Sequence, residues 1–98
     1  MTFTVTSKTV KPADAKWFNQ VDTVAGEKIG KFVSTYPGVV SVTASEIEPN
    51  VWQSVIVFES KAVQEAFRAA LAHLSETALR KAYNDTHGLT TTFTSAGE

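Results

Sequence analysis

The sequence predicts an α+β domain with the element order β-α-β-β-α-β, and three observations carry that prediction. Thr35 to Ser60, TYPGVVSVTASEIEPNVWQSVIVFES, contains two strand-like runs joined at Glu48-Pro49-Asn50-Val51. That junction has the form of a β-turn, with proline presetting φ at about −65°. On each side of this hairpin lies a segment whose apolar residues recur at three- and four-residue steps, the period of a helix with one buried face. Alternating, threonine-rich segments stand near the two ends, TFTVTSKT at Thr2–Thr9 and LTTTFT at Leu89–Thr94.

Strand one covers Thr2–Thr9, with Phe3 and Val5 on one side and Thr2, Thr4 and Thr6 on the other. Lys11-Pro12 breaks it. Proline suits a first helical turn and Asp14 suits the positive end of a helix, so the first helix is predicted over about Ala13–Thr35. Trp17, Val21, Val24, Ala25, Ile29, Phe32 and Tyr36 form its apolar stripe, and Gly26 and Gly30 read as points of close packing or slight bending. Tyr36-Pro37-Gly38 ends that helix. Val39–Ile47 and Trp52–Phe58 are the hairpin strands, and Ser60 caps a helix with the stripe Val63, Ala66, Phe67, Ala70, Leu71 and Leu74. Ser75-Glu76 resembles a second cap, restarting a helix to about Thr86 that buries Ala78, Leu79, Ala82 and Tyr83. Gly88 is placed as a left-handed C-terminal cap. After the last strand, Ser95–Glu98 is expected to fray. This order is the ferredoxin-like arrangement, a four-stranded antiparallel sheet with helices on one face.

Bulk properties bound the function. Ninety-eight residues make one domain, residues 1–98, with a modest core. A net charge of −1 supplies no basic field for nucleic acid or an anionic membrane. The absence of cysteine excludes disulfides, thiolate catalysis and cysteine-ligated metals. No apolar run approaches the ~20 residues of a membrane span, and the N-terminus lacks the apolar core of a signal peptide, so a cytoplasmic protein is expected.

Strand parity assigns the faces of the sheet. Phe3, Val5, Val40, Val42, Ala44, Val55, Val57 and Phe93 are expected under the helices. The open face then collects Thr2, Thr4, Thr6, Ser41, Thr43, Ser45, Ser54, Thr90, Thr92 and Thr94, with Trp52, Ile56 and Phe58 as its large apolar members. That face has two readings. In the first, threonine simply suits a solvated sheet surface. In the second, the face is a hydroxyl- and aromatic-lined cavity, closed by a second subunit, that orients a mostly apolar ligand. Trp52, Ser54 and Phe58 are its ligand-facing candidates, joined by His73 and Tyr83. No catalytic residue and no metal site can be named from spacing. His73 falls between Ala70 and Leu74 and reads as a boundary residue, while His87 reads as a partner of the helix C-terminus.

Several activities that use this topology lack their residues here. An RNA-recognition motif needs exposed aromatics on its central strands and a characteristic K/R-G-F/Y-led run, and VWQSVIVF is not one. A copper chaperone needs Cys-x-x-Cys. An acylphosphatase needs an arginine-bearing phosphate loop, where SKTVKPAD has only lysines. A regulatory amino-acid-binding domain is not excluded by its residues; it is disfavoured because such domains are usually fused to an enzyme, and the sequence shows no linker or second domain.

Pro37-Gly38 leading into the second strand, and Val57-Phe58-Glu59-Ser60-Lys61 leading into a helix, resemble the antibiotic biosynthesis monooxygenase family within the dimeric α/β-barrel superfamily. The order of elements agrees with it over nearly the whole chain. The resemblance implies a homodimer in which two sheets pack into a barrel, with a cavity between sheet and helices in each subunit. It also implies, for some members, oxidation of polycyclic aromatic substrates by O₂ without a cofactor. A haem-degrading branch uses an Asn on strand one, a Trp on the second helix and a His after it. Here strand one has no Asn, the Trp position corresponds to Phe67, and His73 lies only six residues on, so haem binding is not expected. A bare sheet face of roughly 300 Å², from four ~17 Å strands, is within what a monomer exposes. The dimer expectation therefore follows from the resemblance. The functional expectation is a cofactor-free, monooxygenase-like enzyme acting on a small aromatic or polyketide-like molecule. The alternative is a non-catalytic dimeric binding or accessory module of the same fold.

Overall fold

The structure, a computed structural model, describes residues 1–97. Eight elements run in order: β1 (Phe3–Val10), α1 (Phe18–Val21), α2 (Thr23–Thr35), β2 (Val39–Glu48), β3 (Val51–Phe58), α3 (Lys61–Ala72), α4 (Ser75–His87) and β4 (Thr90–Gly97). The strands form one sheet in the order β2-β3-β1-β4, every neighbouring pair antiparallel. This is the ferredoxin-like α+β fold. β4 continues beyond Thr94 because Ala96 and Gly97 pair with Thr4 and Phe3, so of the predicted frayed end only Glu98 lies outside the described residues.

Two local chemistries set the hairpin. Pro49-Asn50 is its turn, and Asn50 has φ 68°, the sign that the third position of a type II turn demands. Asparagine tolerates that region better than most residues. Before the hairpin, Gly38 has φ 95°, and a Cβ placed there would stand 2.5 Å from Val63 Cγ1, so glycine lets α3 close onto the start of β2.

The first helix is corrected. Residues 13–17 are not helical, and Asp22 divides the remainder of that segment into α1 and α2. The Asp22 carboxylate accepts the Ala25 N–H at 3.0 Å and caps α2, a role that takes an aspartate out of the helical conformation. Close packing holds at Gly26, where a Cβ would lie 2.8 Å from Asn19 Oδ1, but not at Gly30, which faces open space. The cap of the second helix agrees with expectation: Ser60 Oγ accepts the Val63 N–H at 3.2 Å. The Ser75 cap does not, because Leu74 holds the capping position and Ser75 is already helical. Gly88 ends α4 with φ 77°.

The face assignment of β3 is also corrected. Directly opposed residues of antiparallel strands share a face. Phe3 pairs with Phe58, Val5 with Ile56, Ser7 with Ser54 and Thr9 with Trp52. Phe58 is 1% exposed and its ring lies 5.1 Å from Phe67 of α3. Trp52, Ser54, Ile56 and Phe58 therefore face the helices, and Val51, Gln53, Val55 and Val57 face the open side. Both sides of β3 are mostly apolar, so alternation alone cannot orient it; Phe3 and Phe67 do. On β2, Val42 and Ala44 take the helix side as expected. Val40 is displaced by a register shift between Val39 and Ser41, and it is left 57% exposed. Phe93 shares the helix side by register, opposite Ser7, yet is 70% exposed because every residue of β4 is exposed.

Two adjoining apolar clusters hold the layers together. Phe18, Ala25 and Ile29 are buried, with Val33, Leu71, Leu74 and Tyr83 packed on them. Phe67 centres the second, with Phe32, Tyr36 and Phe58 at ring separations of 5.9, 5.2 and 5.1 Å. The molecule is only 17 Å deep along its shortest axis. With strands of eight to ten residues, the bare sheet face measures roughly 500 Å² in projection, larger than expected because the strands are longer.

Candidate functional site

The five sequence-predicted residues do not form one cluster on the open face. Phe58 belongs to the core. Trp52 lies on the helix side, its ring 5.7 Å from Trp17, which is itself only half-buried. Around this pair the β1–α1 connection is fastened to the hairpin turn. Lys11 Nζ sits 5.5 Å over the Trp17 ring and donates to Asn50 Oδ1 at 2.8 Å. Glu46 Oε2 accepts from Trp17 Nε1 at 3.3 Å and from the Asn50 N–H at 3.1 Å. This is a structural clasp with its polar groups mutually engaged. Ser54 lies beneath the helices, opposite Ser7. His73 is the exposed C-terminal cap of α3, in no contact with the others.

Tyr83 is half-buried on α4. Its ring stands 5.8 Å from Phe18, and its hydroxyl donates to the Lys16 carbonyl at 2.6 Å. His87, one turn later and exposed, stacks 4.3 Å from Tyr83. Asp14, Lys16 and Val21 complete a recess of about 330 Å³ around that ring pair. A second recess of about 320 Å³ lies on the open sheet face among Thr6, Lys8, Gln53, Thr92 and Thr94. Neither recess contains a buried polar atom lacking a partner.

Such atoms are found on α4, and sequence reading missed them. The expected buried residues Ala78, Leu79 and Ala82 turn outward, with Leu79 53% exposed. The inward stripe is Glu76, Thr77, Arg80, Tyr83 and Asn84, spaced at helical intervals. Glu76 Oε2 accepts from Ser75 Oγ at 3.1 Å and faces Lys28 of α2 at 3.9 Å. Tyr83 is satisfied by Lys16. Thr77 Oγ1 and Asn84 Oδ1 are buried with no hydrogen-bond partner, and Arg80 has no ion-pair or hydrogen-bond partner among the described residues. Burial strips water from the Arg80 guanidinium and pulls its pKa below the ordinary arginine value. An unsatisfied buried polar group costs about 1–3 kcal/mol, more when charged. Two such atoms, Thr77 Oγ1 and Asn84 Oδ1, flank the unpaired and partly exposed Arg80, and a row of this kind has the character of a binding surface. Tyr83 belongs to the expected and the observed stripe alike, so it could not choose between them. No sequence signal could have chosen, because polar residues at helical spacing ordinarily mark a solvated face.

Among the described residues no three His, Asp or Glu side chains group as metal ligands. No helix among them is long and apolar enough to cross a membrane.

No protein-family model matches the chain, and no curated protein sequence does. Solved structures do. SnoaB, a cofactor-independent oxygenase from Streptomyces nogalater, superimposes in a mutant form with a TM-score of 0.71 at 13% identity, over 99% of this chain and 92% of that one. A candidate antibiotic biosynthesis monooxygenase from Deinococcus radiodurans gives a TM-score of 0.66 at 12% identity, over 100% and 94%. A candidate monooxygenase from Shewanella loihica gives 0.61 at 16% identity, over 99% and 93%. From end to end, the chain has the fold of these oxygenase-like proteins.

Proposed function

We propose that the chain is a monooxygenase-like enzyme of the antibiotic biosynthesis type, binding a small hydroxylated aromatic molecule between its helices and its sheet. The observation that carries this reading is the unpartnered polar stripe of α4, facing inward from the helix layer. The full-length likeness to SnoaB and to the Deinococcus and Shewanella proteins supports it at the level of fold. In the reaction envisaged, a ring-activated CH₂ gives up a proton and its electron pair adds to O₂. The resulting peroxide loses water, leaving a carbonyl: CH₂ plus O₂ yields C=O plus H₂O. Arg80 would hold the oxygen onto which the carbanion delocalises.

The second reading is a non-catalytic binding module of the same fold. It is favoured by one observation, that both histidines are exposed, so neither offers a sheltered base. O₂ uptake with a panel of hydroxylated aromatics separates the two. Turnover supports the enzyme; saturable binding with no O₂ consumption supports the module.

We further propose that the open sheet face packs against that of a second copy. Its hydroxyls and valines carry one charge at the centre, Lys8, and its roughly 500 Å² projection approaches the ~800 Å² per partner of a standard interface once the rim is included.

A further inference from the structure

We propose that the inward stripe of α4 recognises an organic anion carrying a hydroxyl beside its charged oxygen, as an ortho-hydroxy carboxylate does. Arg80 binds the ionised group with Thr77 Oγ1 donating to it, and Asn84 Oδ1, one turn further on, accepts from the neighbouring hydroxyl. This deepens the oxygenase-like reading, on which it rests only for placing the ligand beneath the helices.

Unmet hydrogen-bonding valence on α4 defines the ligand. Thr77, Arg80 and Asn84 succeed one another at steps of three and four residues and so stand in one row along the helix. Buried Asn84 Oδ1 is an acceptor and calls for a donor on the ligand; Thr77 Oγ1 can give or take one proton. A buried water would satisfy both of these; the partly exposed guanidinium between them is the group that selects an anion over water. The natural internal partner of Arg80 is Glu76, one turn earlier on the same stripe. Its carboxylate is engaged with Ser75 and turned toward Lys28, with its side chain 18% exposed. Arginine presents a planar fork of donors that matches a carboxylate, so Arg80 selects by shape as well as by charge. Burial, which already depresses the Arg80 pKa, strengthens any anion contact made there.

The test is calorimetric titration of the full chain with salicylate and with its neutral counterpart salicylamide. Salicylate is expected to bind saturably and roughly ten- to a hundredfold more tightly than salicylamide. Arg80→Gln should abolish that preference, and Arg80→Lys should keep part of it. Asn84→Asp, which sets a like charge beside the anion, should weaken salicylate more than salicylamide and so narrow the preference; it serves where Arg80→Gln fails to fold. Equal binding of the two probes, absence of saturable salicylate binding, or a preference that survives Arg80→Gln overturns the proposal. If neutral phenols still bind and drive O₂ uptake in that case, only the anion assignment is lost and the oxygenase-like reading stands.

Discussion

Phe67 shows how a single side chain carries fold information that can be read directly. Its position in the α3 stripe marks it as buried, and it is 5% exposed with three aromatic neighbours. Phe67→Ala should cost about 3–5 kcal/mol in equilibrium urea unfolding; a loss of the size of an ordinary surface change would contradict its place in the core. Asn50 carries information of another kind. Its φ of 68° comes from the turn, and its side chain accepts from Lys11. Asn50→Ala should therefore lose about 1–2 kcal/mol, while Asn50→Gly, which accepts positive φ freely, should lose less. If the two variants unfold at the same urea midpoint, the backbone argument fails. Arg80 is the residue no local pattern announces. It lies in an ordinary charged helix sequence, LRKAYND, and only the packing of α4 shows that it points inward.

Elements are legible in proportion to how one-sided they are. β1 alternates cleanly, which orients it correctly, and α3 has a strong apolar stripe closed by a serine cap. β3 is apolar on both sides, so its orientation depends on Phe58 meeting Phe3 and Phe67, contacts distant in sequence. α4 has few large apolar residues, and Ala78, Leu79 and Ala82 are a weaker claim on the interior than the packing of Tyr83 on Phe18. α1 and α2 merge in the periodic reading because Asp22, a capping residue, sits inside an unbroken apolar rhythm. The glycines of α2 give a direct test of helix packing. Gly30→Ala should stabilise by roughly 0.5–1 kcal/mol, since nothing stands near its Cβ, whereas Gly26→Ala should destabilise by crowding Asn19. Thermal unfolding of the pair should move in opposite directions. Trp52→Phe should cost about 1 kcal/mol through the weakened Trp17 contact and leave self-association unchanged, since Trp52 is not on the open face.

At the scale of the molecule, the two faces of the sheet divide the work. The helix side holds the core, the clasp and the α4 stripe. The open side holds Thr4, Thr6, Lys8, Val55 and Val57, with no aromatic side chain on its two central strands. Val57 lies on this face between Thr4 and Ser41, where a carboxylate should be tolerated by a monomer and opposed by burial in a dimer. Val57→Glu is expected to shift the mass seen by light scattering from dimer to monomer while keeping the far-ultraviolet circular dichroism of the parent. A parent that is already a monomer at micromolar concentration would remove the second copy from the account.

The proposed ligand site lies beneath the helices and not on the open sheet. Amide chemical-shift mapping of the isotopically labelled chain, titrated with salicylate, measures this directly. Perturbations are expected to concentrate at Thr77, Arg80, Asn84 and the helix-facing Ser7 and Ser54, with Thr6, Gln53, Thr92 and Thr94 unmoved. Perturbations confined to that second group would place the ligand on the open face and rule out a site beneath the helices.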